Sequence, residues 1–143
     1  MNSRIYTFFK GRVALHALLR AAGVEAGDQV LLPGYTCVVV PNAINYLGAE
    51  PVYLDIDPDT YNLAPHALGS WLKNNPSAKP KAILVQHTYG LPCDMDDIVP
   101  LARSRNILVI EDSCHALGST YKGRPVGSLG DAAFFSSQWS KPV

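Results

Sequence analysis

Short apolar runs recur along this chain, each followed by a stretch of helical character, and no other feature constrains the fold as tightly. The runs are Gln29-Val30-Leu31-Leu32, Pro51-Val52-Tyr53-Leu54, Ala82-Ile83-Leu84-Val85 and Ile107-Leu108-Val109-Ile110. They are continuous rather than alternating, which suits strands buried on both faces, as in a parallel sheet. The segments Val13 to Ala22, Thr36 to Leu47, Ala64 to Lys73 and Met95 to Arg105 read as helices, the first of them rich in Ala and Leu. Pro41 is compatible with the first turn of its helix. Strand then helix, repeated, predicts an α/β fold with a mostly parallel sheet and right-handed crossovers. A fifth apolar segment, Ala132 to Phe135, is separated from Val143 by a short, largely polar stretch. A sheet that stopped there would leave an edge uncovered, so the chain is expected to be a fragment of a longer protein.

The composition excludes several partners. At 143 residues and 48% hydrophobic the chain can bury a core. Twelve basic and twelve acidic residues leave no basic excess for nucleic acid or an anionic membrane. The apolar runs, such as Val38-Val39-Val40, are far too short to span a bilayer, and no signal peptide is read at the start. The cysteines are Cys37, Cys93 and Cys114, an odd count without a CxxC pair, and the four histidines are scattered. No metal site or disulfide framework is therefore expected, and reduced thiols point to the cytoplasm. G-x-S-x-G, the Walker loop and GxGxxG are absent.

Ligands of open α/β sheets collect outside the carboxyl ends of the strands, so polar residues at those ends are the candidates. Asp112 follows four apolar residues and Glu111. It suits the reception of a cationic ligand group, such as the ring nitrogen of pyridoxal phosphate (PLP). Equally it suits a turn cap, a metal or a ribose hydroxyl. Lys141 has the chemistry to bond a PLP aldehyde, or is a solvated lysine near a chain end. Gly11-Arg12-Val13 opens a helix, where free amides and the dipole attract a phosphate, or is an ordinary helix entry. His115, three residues beyond Asp112, either faces a cofactor or is a hydrogen-bonded structural histidine. His87 is a candidate site-lining residue or a turn histidine. Tyr35 and Thr36 follow the Val30 strand at the same edge, with Thr36 alternatively an N-cap.

Taken in order, these signals form a series: Gly11-Arg12-x-Ala14-Leu15, Gly27-Asp28-Gln29-Val30-x-x-Pro33-x-Tyr35-Thr36, Gly48-Ala49-x-Pro51-Val52-x-x-Asp55, Gly90-x-Pro92-x-Asp94-Met95-Asp96, Ile110-Glu111-Asp112, Gly118-x-x-Tyr121-Lys122-Gly123 and Phe135-Ser136-x-x-x-x-Lys141. The series resembles the DegT/DnrJ/StrS family of PLP-dependent aminotransferases, which act on nucleotide-linked keto-sugars. The resemblance runs from about Gly11 to the last residue. It implies the three-layer large domain of a fold type I transferase, with residues 1–143 forming part of it. The rest of that domain and a small C-terminal domain would lie beyond Val143.

The resemblance also implies roles. Lys141 would hold the PLP aldehyde covalently and serve as the base. Asp112 would pair with the ring nitrogen. His115 would face the cofactor, and Ser136 with the Gly11-Arg12-Val13 helix start would bind its phosphate. Substrates would be an amino-acid donor and a nucleotide sugar, and the whole protein would be a cytoplasmic homodimer with each site completed by the partner. Two positions depart from the pattern: Cys37 stands where many relatives carry an aromatic residue against the PLP ring, and Ser137 where an aromatic residue is common. The competing readings are other PLP chemistry, a lyase or dehydratase, and a non-catalytic relic. Lys141 argues against the family's sugar dehydratases, which carry histidine in its place. The fragment alone is expected to fold poorly and to lack activity.

Overall fold

The strand carrying the most uniformly apolar run is the best buried. Ala82–Gln86 (β3) is buried at all five positions, because it has a parallel neighbour on each side and helices above and below. A computed structural model describes residues 4–137. Around β3 it places Gln29–Pro33 (β1), Glu50–Leu54 (β2), Leu108–Asp112 (β4) and Ala132–Phe134 (β7) in one five-stranded sheet of order β2-β1-β3-β4-β7. Every pairing within this sheet is parallel. A hairpin of Thr120–Tyr121 (β5) and Arg124–Pro125 (β6) stands apart from it.

The helices are Gly11–Ala21 (α1), Val39–Asn45 (α2), Pro65–Asn74 (α3) and Met95–Arg103 (α4). Helix α2 starts three residues later than the expected Thr36. The Thr36 hydroxyl donates to Gln86 Oε1 at 2.7 Å rather than capping the helix. Pro41 is the third residue of α2, where its missing N–H removes no intrahelical bond.

Strand alternation divides the core in two. Leu31, Ile83, Val85 and Val109 pack with Leu68, Leu72, Ile98 and Ala102 of α3 and α4. Val30, Leu32, Ala82, Leu84 and Ile110 pack with Leu15, Leu19, Ala43 and Ile44 of α1 and α2. This is the expected three-layer α/β sandwich, and each fully buried Leu or Ile in it contributes roughly 1.5–3 kcal/mol.

The crossing from the hairpin to β7 is tight. A Cβ on Gly130 would meet the Val109 carbonyl oxygen at 2.7 Å, and a strand carbonyl cannot move aside. Gly130→Ala is therefore expected to destabilise the fold by about 1–3 kcal/mol, seen as a lower urea midpoint at constant slope. An unchanged midpoint would mean that the 126–131 loop shifts at no cost.

Candidate active site

The strand order decides where a ligand sits. The chain leaves β1 for β2 on one side, then crosses back to lay β3 on the other side of β1. Such a reversal opens a crevice at the carboxyl ends of the two diverging strands. Tyr35 and Thr36 leave β1 there, and His87, Thr88 and Tyr89 leave β3. Asp112 to His115 follow β4 beside them, and Phe135 and Ser136 follow β7. The candidates are thus brought to one sheet edge.

Asp112 ends β4 with 6% of its surface exposed. Its Oδ1 accepts the Cys114 amide at 3.1 Å, which orients the carboxylate. Among the described residues no cation forms an ion pair with it. A buried carboxylate without a cation is costly unless a ligand supplies one. Nearby, His115 Nδ1 and Ser113 Oγ are buried polar atoms with no partner among the described residues. An orphaned buried group costs about 1–3 kcal/mol, and such groups concentrate where a ligand completes them.

A second cradle lies at the start of α1. No side chain caps this helix; the Val13 amide donates to the Lys10 carbonyl at 3.0 Å, which leaves the Gly11 and Arg12 amides at the positive end of the dipole. Ser136 closes over it: a Cβ on Gly11 would lie 3.2 Å from Ser136 Cβ and 3.3 Å from its Oγ. Glycine keeps the backbone amides open beside that hydroxyl, an arrangement that suits a phosphate. Arg12 and Val13 are exposed on the same first turn. The residues present fit PLP: a buried anion for the ring nitrogen, an unpartnered histidine nitrogen near it, and a helix start with a serine for the phosphate.

His87 does not line the crevice. Its side chain is fully buried, Nδ1 accepts the Cys93 amide at 3.0 Å, and Nε2 lies 3.0 Å from Glu111 Oε2. That pattern assigns the ring proton to Nε2, donated to Glu111. The carboxylate of Glu111 also accepts the amides of Gly127, Leu129 and Gly130 at 2.6–2.7 Å. Burial pushes the Glu111 carboxyl up, but the His87 bond and the three amides outweigh it and hold it below the ordinary carboxylate range. The sequence reading left Glu111 without a role. Alternation was the available signal: Val85, His87, Val109 and Glu111 share one strand parity and therefore one face. Asp112 shares its parity with Ile110, on the α1 side.

Tyr61 and Tyr89 were also missed. With Tyr35 they form a cluster with ring centroids 5.3–6.4 Å apart. The Tyr35 and Tyr89 hydroxyls are hydrogen-bonded to one another, and chiefly that bond raises the pKa of Tyr35. Cys37 is exposed, whereas burial pushes the Cys93 thiol up to about 12. Lys141 lies outside the described residues. A shallow hollow of about 450 Å³ lined by Pro65, Asp97, Pro100 and Leu101 shares no residue with the edge.

Comparison with known proteins bears on the same edge. The model of the "DegT/DnrJ/EryC1/StrS aminotransferase family" matches residues 5–143. A GDP-perosamine synthase of Escherichia coli O157:H7 is 44% identical over 137 residues, covering 96% of this chain and 36% of that protein. A dTDP-3-amino-3,6-dideoxy-alpha-D-galactopyranose transaminase of Aneurinibacillus thermoaerophilus is 41% identical over 126 residues, 88% of this chain and 34% of that one. Among solved structures, the aminotransferase from Psychrobacter cryohalolentis superposes with a TM-score of 0.85 at 39% identity, over 92% of this chain and 32% of that one. The chain thus spans about a third of the length of these relatives.

Proposed function

The chain belongs to the DegT/DnrJ/EryC1/StrS aminotransferase family, and from that premise we propose that the whole protein is a PLP-dependent aminotransferase. It moves an amino group from an amino-acid donor to a nucleotide-linked keto-sugar. The observation that carries the reading is Asp112, a buried carboxylate at the crevice edge with no cation of its own among the described residues. The relatives named for GDP- and dTDP-linked amino sugars support the substrate class. Residues 1–143 are then part of the PLP-binding large domain, in a cytoplasmic homodimer. Among the described residues no helix is long and apolar enough to cross a membrane.

When bound, PLP supplies an electron sink that lets the donor's α-carbon give up its proton. Asp112 holds the positive ring nitrogen. Ser136 and the backbone amides of Gly11 and Arg12 would hold the phosphate, and His115 would face the cofactor. Lys141, on the family pattern, would hold the aldehyde and, once displaced by the donor's amine, would carry the proton to and from the substrate carbon.

The test uses protein expressed from its complete reading frame and loaded with PLP. L-Glutamate should convert the visible absorbance band to a near-ultraviolet one, and a GDP-linked keto-deoxyhexose should restore it with an amino sugar as product. Loss of water from the sugar without amino transfer would instead favour dehydratase chemistry.

A further inference from the structure

We propose that Tyr35, Tyr61 and Tyr89 form a preorganised, uncharged wall that recognises the sugar ring of the amino acceptor and takes no part in holding the amino-acid donor. The proposal rests on the aminotransferase reading above and names residues that would set its acceptor specificity.

Position is the first argument. Tyr35 leaves β1 and Tyr89 leaves β3, so these two residues flank the reversal of strand order where a ligand enters. Tyr61 arrives from the loop after β2. The Tyr89 ring lies parallel to the ring of His115, at 4° and 6.0 Å between centroids. The wall therefore adjoins the residue three positions beyond Asp112.

Preorganisation is the second. Tyr61 and Tyr89 have φ of 58° and 54°, in the left-handed region, which is rare for a bulky side chain. Such strain persists only where the surroundings over-determine it, and here the determinants are visible. Gln86, Thr88 and Asn62 are buried, with 7%, 1% and 3% exposed. Gln86 Nε2 donates to the Tyr35 carbonyl and to Thr88 Oγ1. Thr88 Oγ1 in turn donates to the Tyr61 carbonyl, and the Thr88 amide donates to Asn62 Oδ1. One buried polar network thus fixes the backbone at or beside all three tyrosines. Their side chains are nevertheless left open, with the residues 43%, 45% and 68% exposed.

Chemistry selects the occupant. Among the described residues no lysine or arginine belongs to the cluster, so it offers the carboxylates of an amino acid only neutral hydroxyls and not the cation that binds them best. The rings meet at 45°, 59° and 77°, so they form no flat platform for a nucleobase. Aromatic faces with convergent hydroxyls suit a puckered, hydroxyl-bearing ring.

The two half-reactions separate the possibilities. Protein from the complete reading frame, loaded with PLP, is followed by absorbance in single turnovers, first with L-glutamate and then with a GDP-linked 4-keto-6-deoxyhexose. Tyr89→Gly removes the ring while relieving the left-handed strain, so it should fold. Tyr89→Phe removes only the hydroxyl. Tyr89→Gly should weaken the acceptor by about 10-fold or more, leave the glutamate constants within about 2-fold, and not lower the urea midpoint. Tyr89→Phe should produce a smaller shift in the acceptor alone. Equal effects on both half-reactions, or none on the acceptor, overturn the proposal. A wild-type protein inert to glutamate would instead remove the aminotransferase reading itself.

Discussion

Replacing Glu111 with alanine should cost more than about 1–3 kcal/mol of stability, the penalty for leaving one buried donor without its acceptor, because several donors lose theirs at once. The loss falls on donors that are buried, at His87 and Leu129, or partly buried, at Gly127 and Gly130. His87 Nε2–H and the amides of Gly127, Leu129 and Gly130 all donate to this one carboxylate. Each orphaned donor costs about 1–3 kcal/mol, though not additively. Glu111→Gln keeps the volume but offers a single oxygen and adds donors of its own, so it should be destabilised too, by less.

The pH dependence distinguishes the two sources of loss. The folded carboxyl of Glu111 is held below the ordinary value of 4.5. The unfolded chain therefore takes up its proton first as the solution is acidified. The stabilisation is complete above about 4.5 and fades as pH falls through the folded value. Wild-type protein should lose stability in that acid window, and Glu111→Gln should lose less there. Urea midpoints at pH 7 and in steps below pH 5, on protein from the complete reading frame, check both statements. Parallel acid profiles for the two proteins would contradict the clamp.

The same carboxylate shows how far the sequence could be read. The inner strands β1, β3 and β4 were legible because strands buried on both faces write continuous apolar runs, and β3 is buried throughout; β2, at the sheet edge, carries such a run while half-exposed. Asp112 alone was ambiguous, since a carboxylate directly after such a run equally suits a turn cap, a metal or a ribose hydroxyl, and only the family series singled it out. His87 was ambiguous too, since a strand-ending histidine looks alike whether it faces a ligand or a buried glutamate. Only the parity shared by Val85, His87, Val109 and Glu111 separates the two cases. The tyrosine wall was less legible still. Nothing at Tyr61 or Tyr89 announces a left-handed backbone, because the cause lies in Asn62, Gln86 and Thr88, brought together from two loops and a strand end. Helix α2 starts three residues later than its sequence suggests for a related reason: the Thr36 hydroxyl is used across the crevice by Gln86.

Lys141→Ala should remove the covalent tie to the cofactor and lower turnover by at least about 10²–10⁴-fold, the usual contribution of a positioned proton carrier. Lys141 lies outside the described residues, and its role is what the family resemblance implies for the lysine of Phe135-Ser136-x-x-x-x-Lys141. The residues proposed for the remaining cofactor contacts do not depend on it. Asp112 sits at the end of β4 and the Gly11–Ser136 cradle at the start of α1. The variant should therefore still take up PLP, but weakly, and release it on dialysis. Borohydride should fix the cofactor to the wild-type chain and not to the variant, as judged by intact mass and by a residual absorbance band after denaturation. Added methylamine, a small free base, should restore part of the lost rate in the variant if the missing function is proton transfer. Undiminished borohydride fixation in Lys141→Ala would place the reactive amine on another lysine and break the family correspondence at the one residue where the chemistry depends on it most.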